Sequence, residues 1–147
     1  MPRPKKTRRR KKGGSIMRIG YPTFYVDNKS IKTRHDTSQQ PSFTLPSEPR
    51  LSTLIMYDPD SSNPSWLHYL VVNIPNGDVS KGETVAPYTG PAPPSGTHRY
   101  IFELLQQVSP YMPSVDASNR GGFDVINFKN MNNLSMRERQ TLRVKAS

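Results

Sequence analysis

The sequence predicts an all-β fold, a β-sandwich of Greek-key type, with one short C-terminal helix and a disordered basic N-terminal tail. Three observations lead there. Apolar runs of strand length, Leu51–Tyr57, Trp66–Ile74 and His98–Gln107, are rich in β-branched and aromatic residues and are bounded by Pro, Gly and Ser clusters. A hydrophobic fraction of 33% with 15 Pro and 9 Gly suits a loop-rich β domain better than a helical bundle. The formal charge of +10 is unevenly placed: residues 1–12 carry +8, residues 13–128 carry −2 and residues 129–147 carry +4.

These shifts divide the chain into a basic arm (1–15), a β domain (16–130) and a basic C-terminal helix or tail (131–147). Its 147 residues suffice for one domain with a modest core. There is no cysteine, so disulfides and thiolate metal sites are excluded and nothing points to an oxidising compartment. No apolar run reaches the roughly 18–20 residues of a transmembrane helix. The basic start lacks the apolar segment of a secretory signal, so a cytoplasmic, nuclear or virion location is expected rather than secretion.

In the arm, Lys5, Lys6, Arg8, Arg9, Arg10, Lys11 and Lys12 follow Arg3 with no apolar periodicity. Such a segment cannot bury enough surface to offset ordering entropy. Residues 3–12 suit phosphate neutralisation on nucleic acid, nuclear import or an acidic partner. Without interleaved aromatics, base stacking is not expected. Gly13-Gly14 reads as a flexible joint.

Ile16–Val26 and Asn28–Arg34 read as the first strands, with Pro22 marking an edge or a break. Phe43–Leu45 is a short strand and Leu51–Tyr57 the first central one. Asp58-Pro59-Asp60 is a sharp acidic bend, because Pro59 fixes its own φ and biases Asp58 toward extended geometry. The carboxylates either cap that turn or point into a pocket. Trp66–Ile74 carries His68 near its start. Lys81–Thr97 reads as a long loop, stiffened by Pro87, Pro91, Pro93 and Pro94. In the next strand, alternation puts His98 and Tyr100 on one face and Arg99 on the other, where Asp60 is a plausible partner. Val108–Asn119 reads as loop and Gly122–Lys129 as a last strand. Ser135–Ala146 is expected to be helical: Ser135 and Glu138 match a capping box, and Arg137, Arg139, Arg143 and Lys145 make the helix basic.

The motifs DPD at 58–60, WLHYLVVNIP at 66–75, Y-x-G-P-x-P-P-x-G-T at 88–97 and HRYIF at 98–102, in that order, resemble the phosphatidylethanolamine-binding protein family, also called the Raf-kinase-inhibitor-protein family. The likeness continues weakly to GGFDVINF at 121–128 and covers residues 16–130. It implies a small anion pocket for phosphate, acetate or a phosphoethanolamine head group, lined by Asp58, His68, His98 and Tyr100 with Pro93 and Pro94 as wall. Asp60, Trp66 and Arg99 are its structural support. Two imidazoles and a phenol offer donors for an anion, and a histidine near neutrality responds to one.

The chain also departs from the family pattern. Ser62 stands where the turn usually has proline, the loop to Trp66 is short, and the C-terminal part is shorter than in animal relatives. Kinase inhibition is therefore not carried over. No G-x-S-x-G elbow and no cysteine nucleophile is present, so the expectation is a binder rather than an enzyme, with no cofactor and no metal. The leading reading is a binding module with a protein partner. The alternative is a structural, virion-type protein whose basic ends dock to nucleic acid or neighbouring subunits.

Overall fold

A computed structural model describes residues 16–147. The basic arm of residues 1–15, including Gly13-Gly14, lies outside the described residues. Among the described residues nine strands form two sheets: β1 Arg18–Tyr21, β2 Phe24–Tyr25, β3 Ile31–Thr33, β4 Ser42–Thr44, β5 Ser52–Asp58, β6 Trp66–Ile74, β7 Glu83–Ala86, β8 Thr97–Gln106 and β9 Ser135–Lys145, with the helix α1 at Val125–Met131. The smaller sheet runs β2-β1-β4 and the larger β3-β9-β8-β5-β6-β7. Strands β5, β6 and β7 follow one another as antiparallel neighbours, and β8 returns by the proline-rich connection to lie beside β5. That order is the Greek key.

Both faces of the larger sheet are covered over its central strands, which is why β5 is buried along its whole length rather than in alternation. On one face Leu54, Met56, Val71, Phe102, Leu104, Leu142 and Val144 pack against Met17, Ile19 and Tyr21 of the first strands. On the other, Ile55, Leu67, Leu70, Val72 and Leu105 pack against Val125, Phe128 and Leu134.

Three local expectations are corrected. Ser135–Lys145 is a strand, antiparallel to β8. Its period is two: Leu142 and Val144 are buried against the smaller sheet, while Arg143 and Lys145 point away. Glu138 does not close a capping box; its two carboxylate oxygens accept the Met17 N–H at 2.7 and 2.9 Å. The helix lies earlier, within the segment expected as a last strand. Asp124 caps it by accepting the Asn127 N–H at 3.0 Å, and Val125 and Phe128, three apart, form its buried stripe. Within the expected loop 81–97, Glu83–Ala86 is β7, paired with β6. Pro22 does break the first segment, which turns back on itself as the β1–β2 hairpin.

Two glycines test the backbone argument. Both Gly77 (φ 73°) and Gly96 (φ 65°) lie in the left-handed region. A Cβ on Gly77 would sit 2.6 Å from the Pro46 carbonyl oxygen, whereas one on Gly96 would meet nothing within 4 Å. Gly96→Ala should cost about 1–2 kcal/mol, the left-handed penalty alone. Gly77→Ala should cost clearly more, because a backbone carbonyl must move as well. Urea denaturation of the two variants makes the comparison, and equal losses would show that the Gly77–Pro46 approach relaxes freely.

Candidate functional site

The site forms where β5, β6 and β8 present their ends to the proline-rich segment. Asp58 closes β5 and is 1% exposed. One of its oxygens accepts the Asp60 N–H at 2.7 Å and the other accepts the His98 Nδ1–H at 2.8 Å. The carboxylate thus shapes the bend and orients an imidazole at once. Asp60 meets Arg99 on the outer side: Arg99 Nε and Nη2 donate to its two oxygens at 3.0 and 2.8 Å, and the Arg99 N–H adds a third bond at 2.8 Å. This fork holds the Asp60 carboxyl below the usual range.

His68 arrives by a register irregularity. Tyr57 pairs with Leu67 and Met56 with Tyr69, so His68 is the extra residue of a β-bulge. Bulges re-aim side chains and recur beside functional sites. The His68 ring lies 5.1 Å from Tyr100, edge to face, and 4.6 Å from Trp66. Its Nδ1–H donates to the Thr89 carbonyl at 2.6 Å, and the Thr89 N–H returns a bond to the His68 carbonyl at 2.9 Å. A carbonyl only accepts, so the proton sits on Nδ1 and the Nε2 lone pair stays available. Burial lowers the His68 pKa; the Thr89 carbonyl and Asp58 push it up, and Arg120 lowers it further. The net direction is down, and the ring is neutral at neutral pH. Tyr100, 1% exposed, stands 6.4 Å from the His98 ring. Burial and then the charge of Asp58 push its phenol well above the ordinary value, so it stays a protonated donor.

Asp58, His68, His98 and Tyr100 therefore converge, with Trp66 beside them and the Asp60–Arg99 pair behind. Of the prolines expected as wall, Pro93 is buried and Pro94 is exposed; Pro91 is buried as well. Two contributors escape sequence reasoning. Thr89 fixes His68 through its backbone, which no side-chain pattern reveals. Arg120 donates to the carbonyls of His68 at 3.1 Å, Pro87 at 2.9 Å and Ala117 at 2.8 Å, and its guanidinium lies 5.7 Å from the Trp66 ring. A lone arginine beside Gly121-Gly122, in a segment with few other cations, was the available signal. All four converging side chains are buried, with His98 the most open at 9%. Clefts of about 660 and 450 Å³ lie elsewhere, the first beside β1 and Glu138, the second between α1 and residues 113–124. Among the described residues no group of His, Cys, Asp or Glu is arranged to hold a metal ion, and no helix is long and apolar enough to cross a membrane.

A family model described as phosphatidylethanolamine-binding protein matches residues 23–143. The chain belongs to the phosphatidylethanolamine-binding protein family. It is 46% identical over 81 residues to the rice protein MOTHER of FT and TFL1 homolog 2, covering 47% of this chain and 47% of that one. It is 33% identical over 129 residues to a Drosophila melanogaster protein described as putative odorant-binding protein A5, covering 77% of this chain and 61% of that one. The chain thus spans about half to three-fifths of the length of these curated relatives. Among solved structures, a carboxypeptidase Y inhibitor in complex with its cognate proteinase superposes with a TM-score of 0.73 at 21% identity, covering 89% of this chain and 83% of that one. At that identity the likeness concerns the fold, and it confirms the mostly β architecture of the family domain.

Proposed function

We propose that this family member is a binding protein whose buried cluster of Asp58, His68, His98 and Tyr100 takes a small anion or a phosphorylated head group of the phosphoethanolamine type, and that it docks to a protein partner. One observation carries the reading: three strand ends bring two imidazoles and a phenol to one point, with a carboxylate that orients an imidazole. A phenol held protonated supplies an anion donor in a nearly dry site, where such a bond is strong. His68 adds a response. Its Nε2 becomes a donor only on protonation, so an anion there draws a proton onto the ring and opposes the burial that lowers its pKa.

The test is an NMR titration of the chain with phosphoethanolamine, following the His68 and His98 ring signals across pH. Saturable shifts at both rings are expected, with the His68 midpoint moving up on binding and the response absent in His68→Ala. The apo protein should also lose stability as pH falls below the ordinary histidine value of 6.5, because the unfolded chain then binds a proton that the native ring resists. No ring shift at millimolar-range ligand, about the weak end of specific binding, would sink the pocket reading.

A second reading rests on the charge of residues 1–12, which carry eight cations and no acid. In it the domain is a structural part that docks through its arm to nucleic acid or neighbouring subunits. A salt-sensitive association lost when those cations are replaced, and indifferent to His68→Ala, would favour it.

A further inference from the structure

Strand β9 does more than close the core. Alternation turns Leu142 and Val144 inward and Arg139, Thr141, Arg143 and Lys145 to the opposite face. The register then builds a surface around them. Arg143 lies directly across from Arg99 on β8 and beside Ile31 on β3, and Lys145 lies across from Thr97 and beside Thr33. Arg139 lies across from Glu103, which Lys129 of α1 also contacts at 2.9 Å. Helix α1 covers the neighbouring part of this face over Leu70 and Leu105, so its Lys129 borders the row.

The carboxylates on this face are already engaged. Asp60 is held by Arg99. Glu103 is 0% exposed and bonded by Tyr57, Lys129 and Arg139. Arg143 donates to the Asn28 backbone carbonyl, which brings no charge. Like charges directly across a strand pair weaken a sheet. The Arg99–Arg143 juxtaposition therefore serves stability poorly and suits an external anion well.

We propose that the outer face of β3, β8 and β9 docks double-stranded nucleic acid through its phosphates, with Arg139, Arg143 and Lys145 as the contacting cations and Arg99 at the rim. Same-face side chains recur about every 6.8 Å along a strand, so Arg139 to Lys145 extends about 20 Å beside a duplex carrying a charge every ~1.7 Å of axis. The planar fork of a guanidinium fits phosphate oxygens in pairs. The face presents Ile31, Thr33, Arg99, Arg139, Thr141, Arg143 and Lys145, with no aromatic for base stacking. It therefore fits a sequence-independent, phosphate-directed contact. A single exposed Ile31 is a poor membrane anchor, since interfacial binding scales with buried apolar area. This surface lies on the opposite face of the sheet from the side chains of His98 and Tyr100.

The test uses the full chain with the arm cations Arg3, Lys5, Lys6, Arg8, Arg9, Arg10, Lys11 and Lys12 changed to serine, so that any remaining binding belongs to the domain. Anisotropy of a short labelled DNA duplex is measured across a salt series. Salt-dependent binding is expected to persist. Its log–log slope should become shallower by about 1.8 in Arg143→Gln/Lys145→Gln, at about 0.9 per phosphate contact. Thr141→Glu, which puts an anion into the row without removing a native hydrogen bond, should weaken binding as well. Arg18→Gln/Arg50→Gln, an equal charge loss off this face, should leave the slope unchanged. The proposal is overturned if the arm-neutral chain does not bind the duplex, or if both double variants behave alike. Tighter binding to polyglutamate or to phosphatidylserine vesicles than to the duplex would also overturn it.

Discussion

Lys129→Met should destabilise the protein by about 3 kcal/mol at neutral pH, because it strips a partner from a fully buried carboxylate. Glu103 is 0% exposed, and its oxygens are bonded by Lys129 at 2.9 Å, by Arg139 at 3.1 Å and by the Tyr57 hydroxyl. Burial raises the Glu103 pKa, but Tyr57, Lys129 and Arg139 lower it by more, and the net direction is below the ordinary 4.5. A depressed carboxyl contributes stability that is complete above the unfolded value and is lost as pH falls through the folded one. With Lys129 gone, burial is less opposed, so acid unfolding should begin at higher pH.

Replacing the carboxylate with its two less exposed partners behaves differently. Tyr57→Phe/Glu103→Leu/Lys129→Met removes the buried charge together with Tyr57 and Lys129, leaves the half-exposed Arg139 to solvent, and should recover most of the loss, since intact apolar substitutes for buried ion pairs are often neutral. Denaturant titrations at neutral and acidic pH separate these outcomes. A single variant as stable as the parent would show that Arg139 and Tyr57 suffice alone.

The same residues show what was legible beforehand. The three central strands announced themselves because each is an apolar run cut by turn residues, and runs of that kind do not depend on partners. The alternation of His98, Arg99 and Tyr100 placed the imidazole and phenol together because strand geometry is local. Ser135–Lys145 reads as helix in the sequence because a capping-box spacing and a basic end are local helix signals. Tertiary pairing with β8 outweighs them, and Leu142 and Val144 carried the true period of two. α1 reads as strand for the converse reason: Asp124 is a proper N-cap, but Phe123, Val125 and Asn127 also satisfy a strand pattern.

What no local rule yields is the bulge that turns His68 toward Tyr100, or the Thr89 carbonyl that fixes its tautomer. Both depend on how two distant segments meet. The exposure of each proline has a related origin. Composition marks the segment as a stiff wall, but which prolines face inward is decided by the path of the chain, and that path buries Pro91 and Pro93.

Asp58→Ala should cost about 3 kcal/mol, taking roughly 1.5 kcal/mol for each of two hydrogen bonds to a buried charged group. The side chain is 1% exposed, so water does not replace the bond from His98 Nδ1 or that from the Asp60 N–H. Asp58→Asn keeps the shape and one acceptor oxygen and should lose about half as much. It also removes the charge that, after burial, raises the Tyr100 phenol, whose pKa should move back toward 10.

The pair of variants decides what the carboxylate does for a ligand. A carboxylate in an anion site either orients an imidazole or meets the ammonium of a zwitterionic head group. Both Asp58 oxygens are already engaged inside the protein, which favours orientation. Calorimetric binding of inorganic phosphate and of phosphoethanolamine should therefore weaken by similar factors in Asp58→Asn. Loss of phosphoethanolamine with phosphate binding retained would sink that reading, because only a direct contact with the ammonium separates the two ligands.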